Sequence, residues 1–179
     1  QMEARIIMLA SNNIFSPSDG RPIDVPTQDL ILGSYYLTQE EKGEIGEGKI
    51  FANPDEVWLA YVDKEAGLHA KIKVKINGEL IDTTVGRVLF NQVLPSGLPF
   101  VNGVMDKSGI SGVIMTCYKR FGHTRTVQLL DDLKCLGFEH ATLAGISISI
   151  DDLAVPVQKS DVLVSAREEV GVVETQYQK

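Results

Sequence analysis

A chain of 179 residues, 44% of them hydrophobic and 23% charged, is long enough to bury its own core, as one compact domain or one domain with an appendage. Its 17 basic against 24 acidic side chains, a formal net charge of -7, argue against free-standing nucleic-acid binding, in which phosphate contacts carry most of the affinity. No apolar run reaches the roughly 20 residues of a membrane-spanning helix, the start lacks a signal-peptide pattern, and Cys117 and Cys135 suggest no disulfide framework or metal knuckle, so buried thiols and a reducing, cytoplasmic compartment are expected.

Gln1 to Leu9 reads as a helix with Met2, Ile6 and Leu9 on one face, but no capping residue precedes its first turn, as expected of a piece of a longer polypeptide. Ser11 to Leu32, SNNIFSPSDGRPIDVPTQDLIL, is a turn-rich scaffold. Asn12, Asn13, Ser16, Asp19 and Gly20 tolerate turn geometry, while Pro17, Pro22 and Pro26 each fix one backbone angle and extend the residue before them. Such a stiff loop loses little entropy on ordering. It is expected to hold Asn12, Asn13, Gln28 and Asp29 on a rigid surface between the apolar runs Ile6 to Ala10 and Leu30 to Leu37. Gln28 to Leu37 reads as a short helix with Leu30, Ile31, Tyr35 and Leu37 inward and Gly33 admitting a second backbone.

The segment EEKGEIGEGK at 40–49 has the glycine and lysine spacing of a phosphate loop in Gly43, Gly48 and Lys49. Ile50 stands where that loop needs Ser or Thr, no apolar strand precedes it, and Glu44 and Glu47 would repel phosphate, so a solvated loop is expected. Asn53 then caps a helix with Pro54 at its first position, running to Ala66 and ended by Gly67, with Val57, Trp58, Tyr61 and Val62 in the core. From Leu68 to Ile76 apolar residues alternate with His69, Lys71, Lys73 and Lys75, and Asn77-Gly78 is the preferred two-residue hairpin turn, so Glu79 to Thr84 returns as the paired strand. The lysine stripe suits either a phosphate or a solvated face that blunts an exposed edge, and the second is the expectation.

Thr83 to Arg87 passes into a helix carrying Val88, Leu89, Phe90 and Val93 and stopped by Pro95; Arg87 suits a neighbouring carboxylate or a phosphate. A loop to Val104 precedes two helices, one from Asp106 with Ile110, Val113, Ile114, Cys117 and Tyr118 on its apolar face, the other from Thr124 to Gly137. One or two further helical turns lead to Ile146–Ile150, a strand by alternation. Asp151 and Asp152 diverge too far to share a magnesium ion, so one of them is expected to cap a helix; no histidine spacing suggests a ligand set, and no metal site is expected. The tail, capped by Ser160 and Asp161, spaces Val162, Ala166, Val170, Val173 and Tyr177 as a coiled-coil seam. Gly171 costs about 1 kcal/mol against Ala, so this helix needs a partner. The expected fold is α+β, with several short helices, a β-hairpin and a protruding C-terminal helix.

The run EARIIMLASNNIFSPSDGRPIDVPTQDLILGSYYLT resembles the segment of the bacterial RNA polymerase β′ family that follows its catalytic aspartate loop. TTVGRVLFNQVLP at 83–95 and GISISIDDLAVP at 145–156 resemble the same family in the same order, as does a helical tail ending in QYQK. Phe15 in place of Leu, Ser18-Asp19 in place of Ala-Asn, and a shorter, Gly-rich middle segment are departures. The resemblance implies residues 1–156 as the pore, or secondary-channel, domain and 157–179 as the first arm of the coiled coil at the channel rim. It implies Asn12, Asn13, Pro26, Gln28, Asp29 and Arg87 near incoming nucleotide or the RNA 3′ end, and Ser160, Asp161, Arg167, Glu168 and Glu169 on a helix where transcript-cleavage factors dock.

The implied partners are the rest of β′ with the β, α, ω and σ subunits, together with DNA, RNA and nucleoside triphosphates. Magnesium in the intact nucleotidyltransferase would be held by the NADFDGD loop, which is absent here, so the chain alone is expected to be inactive and to bind no cofactor. A stand-alone module pairing through its terminal helix is the alternative. An independent enzyme would need a nucleophile with its base, a ligand cluster or a phosphate loop, none of which is legible.

Overall fold

The Lys71–Ile76 alternation becomes the middle strand of a three-stranded sheet. In the computed structural model, which describes every residue except Asp19, Arg21, Asp24, Val25 and Lys179, β1 (Ile50–Phe51) runs parallel to β2 (Lys71–Ile76), and β2 pairs antiparallel with β3 (Glu79–Thr84). The turn role expected of Asp19 and the helix end at Lys179 lie outside the described residues. Asn77 and Gly78 both take positive φ, 51° and 94°, as the hairpin turn requires. Ile72 and Val74 point into the core and Lys71, Lys73 and Lys75 out of it. Because β2 is flanked on both sides, its lysines protect no edge; Lys71 pairs with Glu40 at 3.4 Å and Lys73 with Asp82 at 3.7 Å instead.

The helices are α1 (Met2–Ile7), α2 (Asp29–Thr38), α3 (Pro54–Val62), α4 (Val85–Val93), α5 (Lys107–Phe121), α6 (His123–Ala144) and α7 (Lys159–Tyr177). This is the α+β class expected. The chain divides into two compact units, Gln1–Gly145 and Ile146–Lys179. The core of the first joins Leu37 of α2, Val57 of α3, Ile72 and Val74 of β2, Val88 and Phe90 of α4, Ile110 and Ile114 of α5, and Leu129 and Leu133 of α6. Each such side chain contributes about 1.5–3 kcal/mol by leaving water.

Helix starts follow local chemistry. Asn53, Thr84 and Asp106 accept the backbone N–H of Glu56, Arg87 and Gly109 and so cap α3, α4 and α5. Helix ends are where expectation and structure part. The first helix stops at Ile7 rather than Leu9, and Met2 and Ile6 are exposed. α3 stops at Val62, not Ala66, because the chain doubles back through Lys64 at φ 58° and the N–H groups of Glu65 and Ala66 return to the Ala60 carbonyl. Its core face is Val57 and Ala60, which leaves Trp58 48% and Val62 53% exposed, contrary to the expected stripe.

α6 does not end at Gly137. It runs on to Ala144 and is closed by Gly145 in the left-handed conformation at φ 56°. Gly137 marks instead the place where α2 crosses α6. A Cβ on Gly33 would fall on the Gly137 carbonyl and 2.9 Å from the Ala141 nitrogen, and one on Gly137 would lie 2.8 Å from the Leu30 carbonyl oxygen. Tyr35, expected inward, is exposed, while Tyr36 is half-buried.

Ile146–Ile150 is not a strand. It finds no partner among the described residues and passes into a single 3-10 turn, Ile150–Asp152, where Ser149 and Asp152 cap one another's backbone N–H groups, so one of the aspartates does cap a helical turn. α7 begins at Lys159 behind Gln158, with Ser160 and Asp161 inside its first turn and no side-chain cap. Cys117 is buried as expected, whereas Cys135 lies exposed on α6.

Candidate functional site

Behind α1 a 3-10 turn, Ala10–Asn12, brings two asparagine side chains under the helix end. Asn12 Nδ2 donates to the Ile6 carbonyl at 2.9 Å, and Asn13 Nδ2 to the carbonyls of Ile7 and of Leu9, the latter at 3.1 Å. The Ile6 and Ile7 carbonyls are ones that a helix end leaves without an intrahelical partner, so both amides hold the loop to α1.

The next two residues fasten the loop to the core. Ile14 is 2% exposed, and the Phe15 ring rests on Tyr118 of α5 with centroids 4.2 Å apart. Phe15 also bridges to Pro22, and the Ile23 N–H donates to the Ile14 carbonyl at 2.7 Å. Pro26 is buried, which makes it a packing residue of the loop rather than part of its exposed surface.

Gln28 and Asp29 stand exposed at the head of α2. Gln28 has φ 52° and ψ -121°, a left-handed backbone that glycine adopts readily and other residues rarely do, at a cost of order 1–3 kcal/mol. Its side chain makes no cap bond to α2.

Arg87 is placed at the other end of α2. Its Nε donates to the Thr38 carbonyl at 3.0 Å and its Nη1 reaches Asn102 Oδ1 at 3.4 Å, while Asn102 Nδ2 donates to the Asp82 carbonyl at 2.8 Å. No carboxylate pairs with Arg87 among the described residues. The guanidinium therefore braces α2, β3 and the loop before α5. A helix of α2's length, 10 residues, spans about 15 Å, so Gln28 and Arg87 do not converge on one small ligand.

Sequence reasoning missed the residues that build this brace. Thr38 is fully buried; its hydroxyl donates to the Ser34 carbonyl and accepts the Met105 N–H, both at 2.8 Å. Asn91 pairs with the Val101 backbone in both directions at 2.8 Å. A threonine at a helix end and an asparagine within a helix carry no signal of partners 67 and 10 residues away.

The 40–49 loop is closed against phosphate: the Glu47 carboxylate accepts the Gly43 N–H at 2.7 Å and Lys49 pairs with Glu65 at 3.1 Å. Among the described residues no group of three or more His, Cys, Asp or Glu converges as a metal site. Nor is any described helix long and apolar enough to cross a membrane. In the second unit Ser160, Asp161, Arg167, Glu168 and Glu169 are exposed along α7. So are Val162, Val170, Val173 and Tyr177.

Helices packed on a small three-stranded sheet, with a pinned loop before α2, define an α+β domain. The family described as RNA polymerase Rpb1, domain 3, matches residues 13–153, and the chain belongs to it. Among individual proteins the chain is similar to the DNA-directed RNA polymerase subunit beta' of Desulforamulus reducens and of Pelotomaculum thermopropionicum, each 47% identical over 180 aligned positions that cover 100% of this chain and 15% of the relative. The subunit beta' of Sulfurihydrogenibium sp. is 48% identical over 177 positions, 99% of this chain and 11% of the relative. The chain thus spans 15% or less of the length of these relatives.

Proposed function

We propose that this chain works within a DNA-directed RNA polymerase β′ subunit as a wall of the secondary channel, beside the active centre, where nucleotides enter and backtracked RNA leaves. Similarity to β′ subunits along the whole chain supports the assignment to transcription. One observation carries the local reading: an exposed glutamine held in strained backbone geometry at the tip of a loop anchored by Ile14 and Phe15. Strain of this kind persists only where the surroundings enforce it, and it is common at ligand clamps. In this reading Gln28, with Asp29 beside it, faces incoming nucleotide or the RNA 3′ end. Asn12, Asn13 and Pro26 shape the loop, and Arg87 acts through the brace.

The α7 helix serves as one arm of a rim coiled coil and, through Ser160, Asp161, Arg167, Glu168 and Glu169, as a docking surface for transcript-cleavage factors. The rest of β′ and the β, α, ω and σ subunits supply the remaining walls, the DNA and RNA paths and the magnesium-binding acids. The test is Gln28→Ala in the assembled polymerase. Loss of one neutral hydrogen bond, about 0.5–1.5 kcal/mol, raises the nucleotide KM or the backtracked fraction about 2- to 10-fold. Unchanged nucleotide affinity, elongation rate and backtracking would remove Gln28 from the channel wall.

A further inference from the structure

The buried stripe of α6 runs Thr126, Leu129, Leu133, Gly137 and His140, so a histidine completes the face that α2 crosses. His140 is 5% exposed and its Nδ1 has no hydrogen-bond partner among the described residues. His69, just ahead of β2, is also 5% exposed; its Nδ1 lies 3.3 Å from the Gln39 carbonyl and its ring meets the edge of Tyr36 of α2, centroids 4.6 Å apart at 85°. The sequence pattern had set His69 on the solvated lysine face; the chain turns between it and Lys71, and the ring goes inward.

We propose that the buried imidazole of His140 is a proton-operated latch on the α2–α6 crossing, closed while that ring is neutral and released when it takes up a proton. The ionisable groups beside the rings are Tyr36 from α2, Glu139 from α6, and Glu44, whose carboxylate accepts the His69 backbone N–H at 2.8 Å, with Tyr61 of α3 acting next to Tyr36 and Glu139. Burial holds the His140 imidazole below its ordinary value, Glu139 opposes this in part, and His69 lowers it further. Burial also pushes the Tyr61 phenol up, with Tyr36 and Glu139 adding to the effect, so no phenolate forms there to balance an imidazolium. A folded-state value below the open-state value means that opening binds a proton. The crossing is therefore at full strength above about pH 6.5, the ordinary histidine value, and weakens as pH falls below it. Since α2 begins at Asp29, release loosens the mount of Gln28.

Hydrogen exchange on peptides from 29–38 and 123–144 of the full chain, at about pH 7.5 and about pH 5.5 and corrected for intrinsic rates, tests the latch. Protection in these two helices is expected to fall by up to about tenfold at the lower pH, the limit for one imidazole that titrates normally only when open. The β2–β3 hairpin should change less. His140→Leu keeps protection at the higher pH and abolishes its pH dependence. A wild-type crossing indifferent to pH, or a His140→Leu chain that keeps the dependence, overturns the latch. Should His140→Leu lose protection already at the higher pH, His140→Gln, polar but not titrating in this range, decides by the same criterion.

Discussion

At Gln28 a side chain that needs φ below zero sits at φ 52°. Gln28→Gly is expected to stabilise the chain by about 1 kcal/mol, because relief of strain outweighs the added freedom of the unfolded glycine, while removing the polar end that the channel reading requires. The urea midpoint of the chain and the nucleotide KM of the assembled enzyme should then both rise, the fold being firmer and the substrate contact weaker; destabilisation by glycine would mean that the backbone is not strained. Thr38 answers to a different rule. Thr38→Val keeps shape but leaves the buried Met105 N–H without its acceptor, so a loss of about 1–3 kcal/mol is expected in the same unfolding measurement.

Among elements, the α2–α6 pair depends on backbone contact at Gly33 and Gly137. A methyl group at Gly33 would overlap a carbonyl at the closest point of the crossing, and neither backbone can yield as a flexible side-chain tip does. Gly33→Ala is expected to destabilise by about 1–3 kcal/mol, the usual range for overpacking, seen as a lower Tm in a thermal melt. Gly112, on α5 with open space around its Cβ position, is the control. Gly112→Ala should stabilise α5 by about 0.5–1 kcal/mol through helix propensity alone, and equal losses at both positions would contradict the crossing.

For the whole molecule the division after Gly145 matters most. Core residues all come from Gln1–Gly145, whereas α7 buries none of its side chains. Its apolar side chains, Val162, Val170, Val173 and Tyr177 among them, stand exposed, whereas most helices in proteins draw their stability from packing such residues. In the assembled polymerase, replacing Arg167, Glu168 and Glu169 together by Ala is expected to weaken cleavage-factor stimulation about tenfold at low salt and less at high salt, with nucleotide KM unchanged. Stimulation that stays constant in a factor titration would take docking away from this helix.

What local chemistry decides was legible in the chain itself. Asn-Gly at 77–78, the alternation of β2, the cap Asn53, the helix start at Asp106 and the stop at Pro95 each act within a few residues, and each lies where its residues require. The turn-forming residues before α2 likewise announced a pinned loop, though not that Asn12 and Asn13 turn their amides onto α1 or that Pro26 is buried. Only the tertiary structure decided what depends on a neighbour distant in sequence. Gly137 reads as a helix stop until α2 is laid across it, Ile146–Ile150 reads as a strand until no partner is found for it among the described residues, and β2 reads as an edge until β1 pairs with it. His69 and Arg87 follow the same logic: whether a polar side chain meets solvent, a phosphate or a backbone carbonyl is set by what the fold brings against it, and periodicity carries no information about that.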